Sequence, residues 1–224
     1  MPEMINTYTK DGIQIGIIEK SKYYQNTNPD TQPWIKCVTC FVIDEKTNKI
    51  LFEKRGMHQI DAGKLDLCSG HVRCNESLKQ DQSLKQSKPS LQSELPLQCM
   101  IRELYEELSI PEDDSRNLKC LGEVAMDYSL LSEERDEHPN LKCLATIYAL
   151  KMKNISKIKM DGEEVVQMGW LDFDDAIGFV THNMTRFAYD ESSKRAFDNI
   201  FDSLKKYMHP ELKPKEQKHE RVHQ

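Results

Sequence analysis

Residues Arg102–Ile110, "RELYEELSI", place three glutamates and an arginine within six positions. On a helix, Glu103, Glu106 and Glu107 stand close enough to repel one another. Carboxylates near the helix C-terminus also oppose its macrodipole. A divalent cation relieves both costs. Carboxylate oxygens on one rigid face suit Mg²⁺ or Mn²⁺, hard ions that keep water ligands and leave room for a phosphate. Arg102, four residues before Glu106, can pair with it, but one cation does not neutralise three anions. For the helix alone, a solvated acidic face is the simpler reading. The neighbouring sequence has to decide.

The elements that would position these residues follow from periodicity. About residues 94–109 read as a helix, with Pro111 beyond its end. A helical wheel puts Leu97, Met100, Ile101, Leu104 and Leu108 on one arc, expected to face the core. The three glutamates lie on a neighbouring arc, at the rim of that face. "KDGIQIGIIEK" (Lys10–Lys20) alternates around an Asp-Gly turn signal and suggests an N-terminal strand. Ile35–Ile43 and Lys49–Arg55 read as two strands joined by the polar turn "DEKTN", a hairpin. "KLDLCSGHV" is a short extended piece. Leu118–Met126, Leu141–Met152 and Val165–Leu171 are further strands. "DFDDAIGFV" reads as a short helix, and Asp190–Met208 as an amphipathic one. Many strands with two or three helices make an α/β or α+β layered domain.

Asn75–Glu94, "NESLKQDQSLKQSKPSLQSE", is rich in Ser, Gln and Lys and reads as an inserted polar loop. Residues 209–224 read as a charged, disordered tail, leaving residues 1–208 as a single domain. The net charge of −6 argues against a general nucleic-acid binder. No apolar run approaches the roughly 18 residues of a membrane span, and the first residues lack an apolar signal core. The seven scattered cysteines read as reduced thiols, hence a cytoplasmic setting. Cys37 and Cys40 form a C-x-x-C, but their odd separation in a strand points them to opposite faces. No second such pair supports a zinc site.

Just upstream of the acidic helix stands "GKLDLCSGHVRCNES". Together with "RELYEELSI" it resembles the box of the Nudix hydrolase family. Gly70, five residues and Glu76 fit the first half; Arg102, Glu103, Leu104, Glu106, Glu107 and Ile110 fit the second. "ILFEKRG" and "EEVVQMGWLDFDDAI" are similar to the family's flanks. Twenty-five residues, not seven, separate Glu76 from Arg102. Counting back seven leads to Glu94, so either Glu76 or Glu94 is the first box glutamate, and the helix-side spacing favours Glu94. Ser109 stands where the box ends in glycine, and Ser69 where a glycine often precedes Gly70.

The resemblance implies a Nudix-type α/β/α sandwich with a mixed β-sheet. It implies a MutT-like pyrophosphatase that cleaves a diphosphate linkage with Mg²⁺ or Mn²⁺ in a nucleoside diphosphate derivative or related compound. Carried over to this sequence, Glu103, Glu106 and Glu107 would be metal ligands, with Glu94 and the carbonyl of Gly70 beside them. One carboxylate would activate the attacking water, and Arg102 would hold the carboxylates in place. Arg55 and Lys64 are candidate phosphate contacts, and Glu163 or Glu164 could add a carboxylate. The expected partner is a small diphosphate substrate, without nucleic acid or membrane; a homodimer is compatible with the sequence. His71 reads as a structural histidine, and Trp170 as core.

Two other classes stay open. "LCSGHV" also resembles isopentenyl diphosphate isomerases, whose cysteine directly precedes a Gly-His pair. Here Ser69 takes that place, with Cys68 one residue earlier and therefore on the other strand face. A Nudix-like binding module without turnover is the third reading.

Overall fold

Strand β3 (Ile35–Asp44) is apolar on both faces, as a central strand must be. Phe41 and Ile43 face one hydrophobic cluster, Val38, Cys40 and Val42 the other. The computed structural model describes residues 2–26, 28–57, 62–74, 93–129, 140–184 and 187–210. Along one edge β3 pairs in parallel with β8 (Lys142–Met152) over ten residue pairs, and β7 (Lys119–Asp127) lies antiparallel beyond β8. The other edge of β3 is shared. At its end β3 meets β4 (Ile50–Arg55) in the expected hairpin, through Ile43 and Ile50. Nearer its start it pairs with β6 (Cys68–His71). Having left β3, strand β4 pairs with β5 (Leu65–Asp66) and β9 (Val165–Leu171). The sheet is mixed.

Helices cover both faces. The expected acidic helix is α2 (Pro96–Leu108); its Cys99, Met100, Leu104 and Leu108 join Val38, Cys40, Val42, Leu51 and Cys68 in one core. A short α3 (Glu112–Ser115) follows it. On the opposite face, α4 (Phe173–Met184) and α5 (Glu191–Met208) bury Ala176, Val180, Phe197, Ile200 and Leu204 against Phe41, Ile50, Phe52 and Ile147. Asp190 caps α5, accepting the Ser193 N–H at 2.9 Å.

Four expectations need correction. The N-terminal strand is a hairpin: β1 (Met4–Tyr8) pairs with β2 (Gln14–Glu19). Gly12, with φ 77°, supplies the turn that the Asp-Gly signal marked, and Lys20 already opens a short helix α1 (Lys20–Gln25). The helix read from "DFDDAIGFV" runs on to Met184. Cys37 and Cys143 are bonded across β3 and β8, Cα atoms 6.1 Å apart and within disulfide reach, so not every thiol is reduced. Cys37 and Cys40 do point to opposite faces, since Cys37 packs on the α4–α5 side and Cys40 on the α2 side.

The fourth correction concerns the buried face of α2. It is rotated relative to the expected arc: Leu97 is 46% exposed, while Glu103 and Glu107 are buried with Met100, Leu104 and Leu108. Each of those three apolar side chains contributes about 1.5–3 kcal/mol on burial, which suffices to hold the helix down over acidic neighbours. Leu97 is released because α2 begins only at Pro96, where the chain enters from the surface. Of the inserted loop expected at residues 75–94, residues 75–92 lie outside the described residues, Glu76 among them, as does the tail from residue 211.

Helix α2 ends at Ser109, in the left-handed conformation (φ 54°, ψ 28°), and Ile110 then turns under it. Glycine takes this backbone freely; a serine there is strained by roughly 1–2 kcal/mol. Ser109→Gly is therefore expected to raise stability by about 1 kcal/mol, read as a higher urea midpoint at unchanged slope. An unchanged or lower midpoint would contradict the strain.

Candidate active site

Three elements bring acidic groups to one place. On β4, Leu51 faces the α2 core, so Glu53, two residues on, points the same way. On β6, Cys68 and Gly70 share that face, and α2 lies across it with Glu103 and Glu107. All three glutamates are buried: Glu53 is 4% exposed, Glu107 6% and Glu103 8%. Gly70 is required by this contact, because a Cβ there would stand 1.9 Å from Glu103 Oε1. The carboxylate of Glu103 occupies the space a side chain would take.

Arg102 organises the rim. Its Nε and one terminal nitrogen donate to the two oxygens of Glu94, both at 3.0 Å, in a two-pronged pair. Its other terminal nitrogen donates to Glu103 Oε1 at 2.7 Å and Glu106 Oε2 at 2.9 Å. A further bond reaches the His71 carbonyl at 3.1 Å, tying α2 to β6. Arg73 adds a second fork onto Glu106, at 3.2 and 3.3 Å. Glu106, with its side chain 44% exposed, thus sits at the mouth between two guanidiniums.

Deeper in, the carboxylates lack such company. Among the described residues, Glu53 Oε1 and Glu107 Oε2 are buried without a hydrogen-bond partner. Orphaned buried oxygens are rare. Burial pushes Glu107 up to about 8; the Glu103 charge adds to this, and a hydrogen bond from Cys68 opposes it. Burial likewise raises Glu103 to about 7, against the pull of Arg102. Glu53 is raised well above its usual range by burial and then by the charge of Glu107. Glu53, Cys68 and Glu107 each offer one ligand atom, and these atoms lie within 4.8 Å of one another. Two orphaned oxygens in a three-ligand cluster fit a divalent cation, whose charge would offset the burial of the anions.

The structure brings Gly70, Glu94, Arg102, Glu103, Glu106 and Glu107 together as the sequence suggested. Glu94, though, has both oxygens on Arg102, one of them also receiving the Arg73 N–H at 3.2 Å. Arg55 pairs with Asp66 at 2.8 Å, and its charge acts on Glu53 and Glu107. Lys64 is exposed on the approach to β5; its carbonyl accepts the Arg55 N–H at 3.0 Å. Glu164 is exposed in a turn whose N–H groups the Asp161 carboxylate holds, near enough to raise Glu107. His71 is half-buried and bonded to Tyr24 of α1. Burial, followed by nearby cations, holds it down at about 3, in keeping with a structural histidine. Glu53 was not singled out from sequence, and Cys68 only in the isomerase comparison, not as a metal ligand. The available signal was an acidic residue directly after the apolar run "ILF", at the alternate position to Phe52 and on the face of Leu51.

The family model described as NUDIX domain matches residues 34–194 of the 224, and the chain belongs to that family. In fold it is similar to the crystal structure of DR0079 from Deinococcus radiodurans: TM-score 0.55, 14% identity, covering 88% of this chain and 98% of that one. It also matches the MutT protein from Methanosarcina mazei Go1 (TM-score 0.45, 18% identity, 81% of this chain and 96% of that). A third match is the NUDIX domain of Shewanella oneidensis NrtR complexed with ADP ribose (TM-score 0.45, 15% identity, 84% and 99%). No curated protein matches the chain significantly. No helix among the described residues is long and apolar enough to cross a membrane.

The upward shifts have a consequence for the metal-free chain. A carboxyl whose folded value is raised stabilises the fold fully below about pH 4.5, where both states are protonated more alike than not, and this contribution is lost as pH rises through the folded value. Between about pH 5 and pH 8, the chain in EDTA should lose on the order of 3 kcal/mol for each of Glu103 and Glu107. A cation that binds only a folded site stabilises it, so adding Mg²⁺ or Mn²⁺ at the upper end is expected to restore stability. Denaturant melts across this range are the check; a flat profile would contradict the burial argument.

Proposed function

We propose that the chain is a hydrolase that cleaves the diphosphate linkage of a nucleoside diphosphate derivative or related small compound, with Mg²⁺ or Mn²⁺. The observation that carries this is the pair of buried, unpartnered oxygens on Glu53 and Glu107, set against Glu103 on the bare face of Gly70. Membership of the Nudix family supports it. Glu103, Glu106, Glu107 and the Gly70 carbonyl would hold the cation, with Glu53 completing the floor. A bound Mg²⁺ or Mn²⁺ supplies neutralisation of the diphosphate charge and a lowered pKa for water.

The chain's own residues do the rest. Glu107 takes the proton of the attacking water through a carboxylate oxygen that the cation would leave free. Arg102 fixes the rotamers of Glu103 and Glu106, and Glu94 fixes Arg102, so Glu94 acts as a positioning residue at the first box glutamate's place. Arg55 and Lys64 lie on the approach as phosphate contacts, and Glu164 stands at the edge as an added carboxylate. Phosphoryl-type substitution needs mainly this positioning and charge, without a nucleophilic Ser or Cys. The chain from residue 1 to 208 then acts as one domain, with the β1–β2 hairpin as its extension. The isomerase reading is not carried further: Ser69 precedes Gly70, and His71 is engaged by Tyr24.

A panel of diphosphate compounds, isopentenyl diphosphate among them, incubated with Mg²⁺, Mn²⁺ or EDTA, tests the proposal by chromatography of the products. Metal-dependent cleavage is expected, reduced on the order of 10²- to 10⁴-fold by Glu107→Gln. Cleavage that survives EDTA or the substitution would overturn it. Rearrangement without phosphate release would favour the isomerase, and no turnover at all a binding module.

A further inference from the structure

We infer that Cys68, together with Glu53 and Glu107, forms a binding site for a thiophilic divalent cation of the Zn²⁺ type. The inference shares Glu107 with the hydrolytic reading and deepens it by naming a metal class that the acidic helix alone does not select.

Sγ of Cys68 and one oxygen from each glutamate lie within 4.8 Å of one another, and all three side chains are buried. Two of these residues carry an oxygen with no partner among the described residues, Glu53 Oε1 and Glu107 Oε2. The Cys68 thiol already reaches the Glu107 carboxylate, and a cation between the three residues would meet one ligand atom of each at once. The position of Cys68 is set by the fold. It lies on β6 opposite Cys40 of β3, two residues before Gly70, and so on the face that α2 covers.

The other buried thiols are not equivalent. Cys99 donates to the His71 carbonyl at 3.3 Å and accepts from Arg102 at 3.3 Å, so it is already engaged. Cys40 packs beside Cys68 in the apolar cluster but contributes no ligand atom to the group.

A thiolate beside carboxylates changes which ion fits. Oxygen-only sites suit Mg²⁺ and Mn²⁺, while a cysteine sulfur favours Zn²⁺ and related borderline ions. Three protein ligands with a fourth position open is the pattern of a zinc site that admits water or a substrate oxygen. Binding displaces the Cys68 thiol proton to solvent, leaving a thiolate on the metal. Two carboxylates and a thiolate carry three negative charges, which the cation reduces to one. Because Glu107 is common to both sites, Zn²⁺ should compete with Mg²⁺ or Mn²⁺.

Cobalt titration of the full, metal-free chain provides the test, since Co²⁺ reports sulfur coordination by a charge-transfer band in the near ultraviolet. One equivalent should give the band in wild type, and Zn²⁺ should abolish it by displacement. Cys68→Ser should lack it, while Cys120→Ser, at an exposed position, should keep it. Glu53→Gln retains every thiol and should weaken Co²⁺ binding by about 10- to 100-fold. No band in wild type, a band that persists in Cys68→Ser, or unchanged affinity in Glu53→Gln would each overturn the site. Hydrolysis with Mg²⁺ is assayed separately on the same wild-type protein. A missing band with intact hydrolysis overturns this site alone, and a band without hydrolysis overturns the proposed function alone.

Discussion

The burial of Glu53, Glu103 and Glu107 against the bare backbone of Gly70 is the constraint on which the rest depends. Isolated carboxylates do not enter a protein interior without a counter-charge or a proton. Here the apolar residues of α2 force the matter. Met100, Leu104 and Leu108 are fully buried, and the glutamates one residue before the last two are carried down with them. Gly70 leaves the space they need. The site is thus a by-product of core packing in position, but not in chemistry: an alanine pair at 103 and 107 would pack with no such cost.

Around that core, charge is graded by depth. At the rim Arg102 and Arg73 pair with Glu94 and Glu106. In the floor Glu53 and Glu107 keep unpartnered oxygens. A paired rim thus lies over a floor whose carboxyl oxygens are unsatisfied. The N-terminal hairpin supports this arrangement from outside: Cys74 donates to the Met4 carbonyl at 3.0 Å, and Ser93 meets Tyr8 at 2.9 Å. Cys74 and Ser93 pair as an isolated bridge, which sets Ser93 and Glu94 beside the end of β6.

Much of the fold was legible because its signals are local. The strands around Ile35–Asp44 and Lys142–Met152 are long apolar runs, and the hairpin turn and the α5 cap use residues with a fixed local role. The Asp-Gly turn was read correctly, yet the strand before it was missed, because "EMINTY" is too short and polar to stand out. The box glutamates were legible through their spacing with Gly70 and Arg102. Their depth was not: a helical wheel ranks side chains by hydropathy, and it assigned the buried arc to Leu97 and Ile101 where packing on Gly70 turned the helix toward Glu103 and Glu107. Glu53 and Cys68 come from strands distant in sequence, and only the β3–β4 and β3–β6 pairings bring them to α2. The Cys37–Cys143 contact likewise depends on a parallel pairing across more than a hundred residues.

The central claim is that the buried carboxylates hold protons until a divalent cation replaces them. Calorimetric titration of Mn²⁺ into the metal-free chain near pH 6.5, repeated in buffers of different ionisation enthalpy, measures binding and proton release together. The account predicts binding at one site with release of about one to two protons. It also predicts a smaller release in Glu107→Gln. Absence of binding, or binding with no proton release in any buffer, would contradict it.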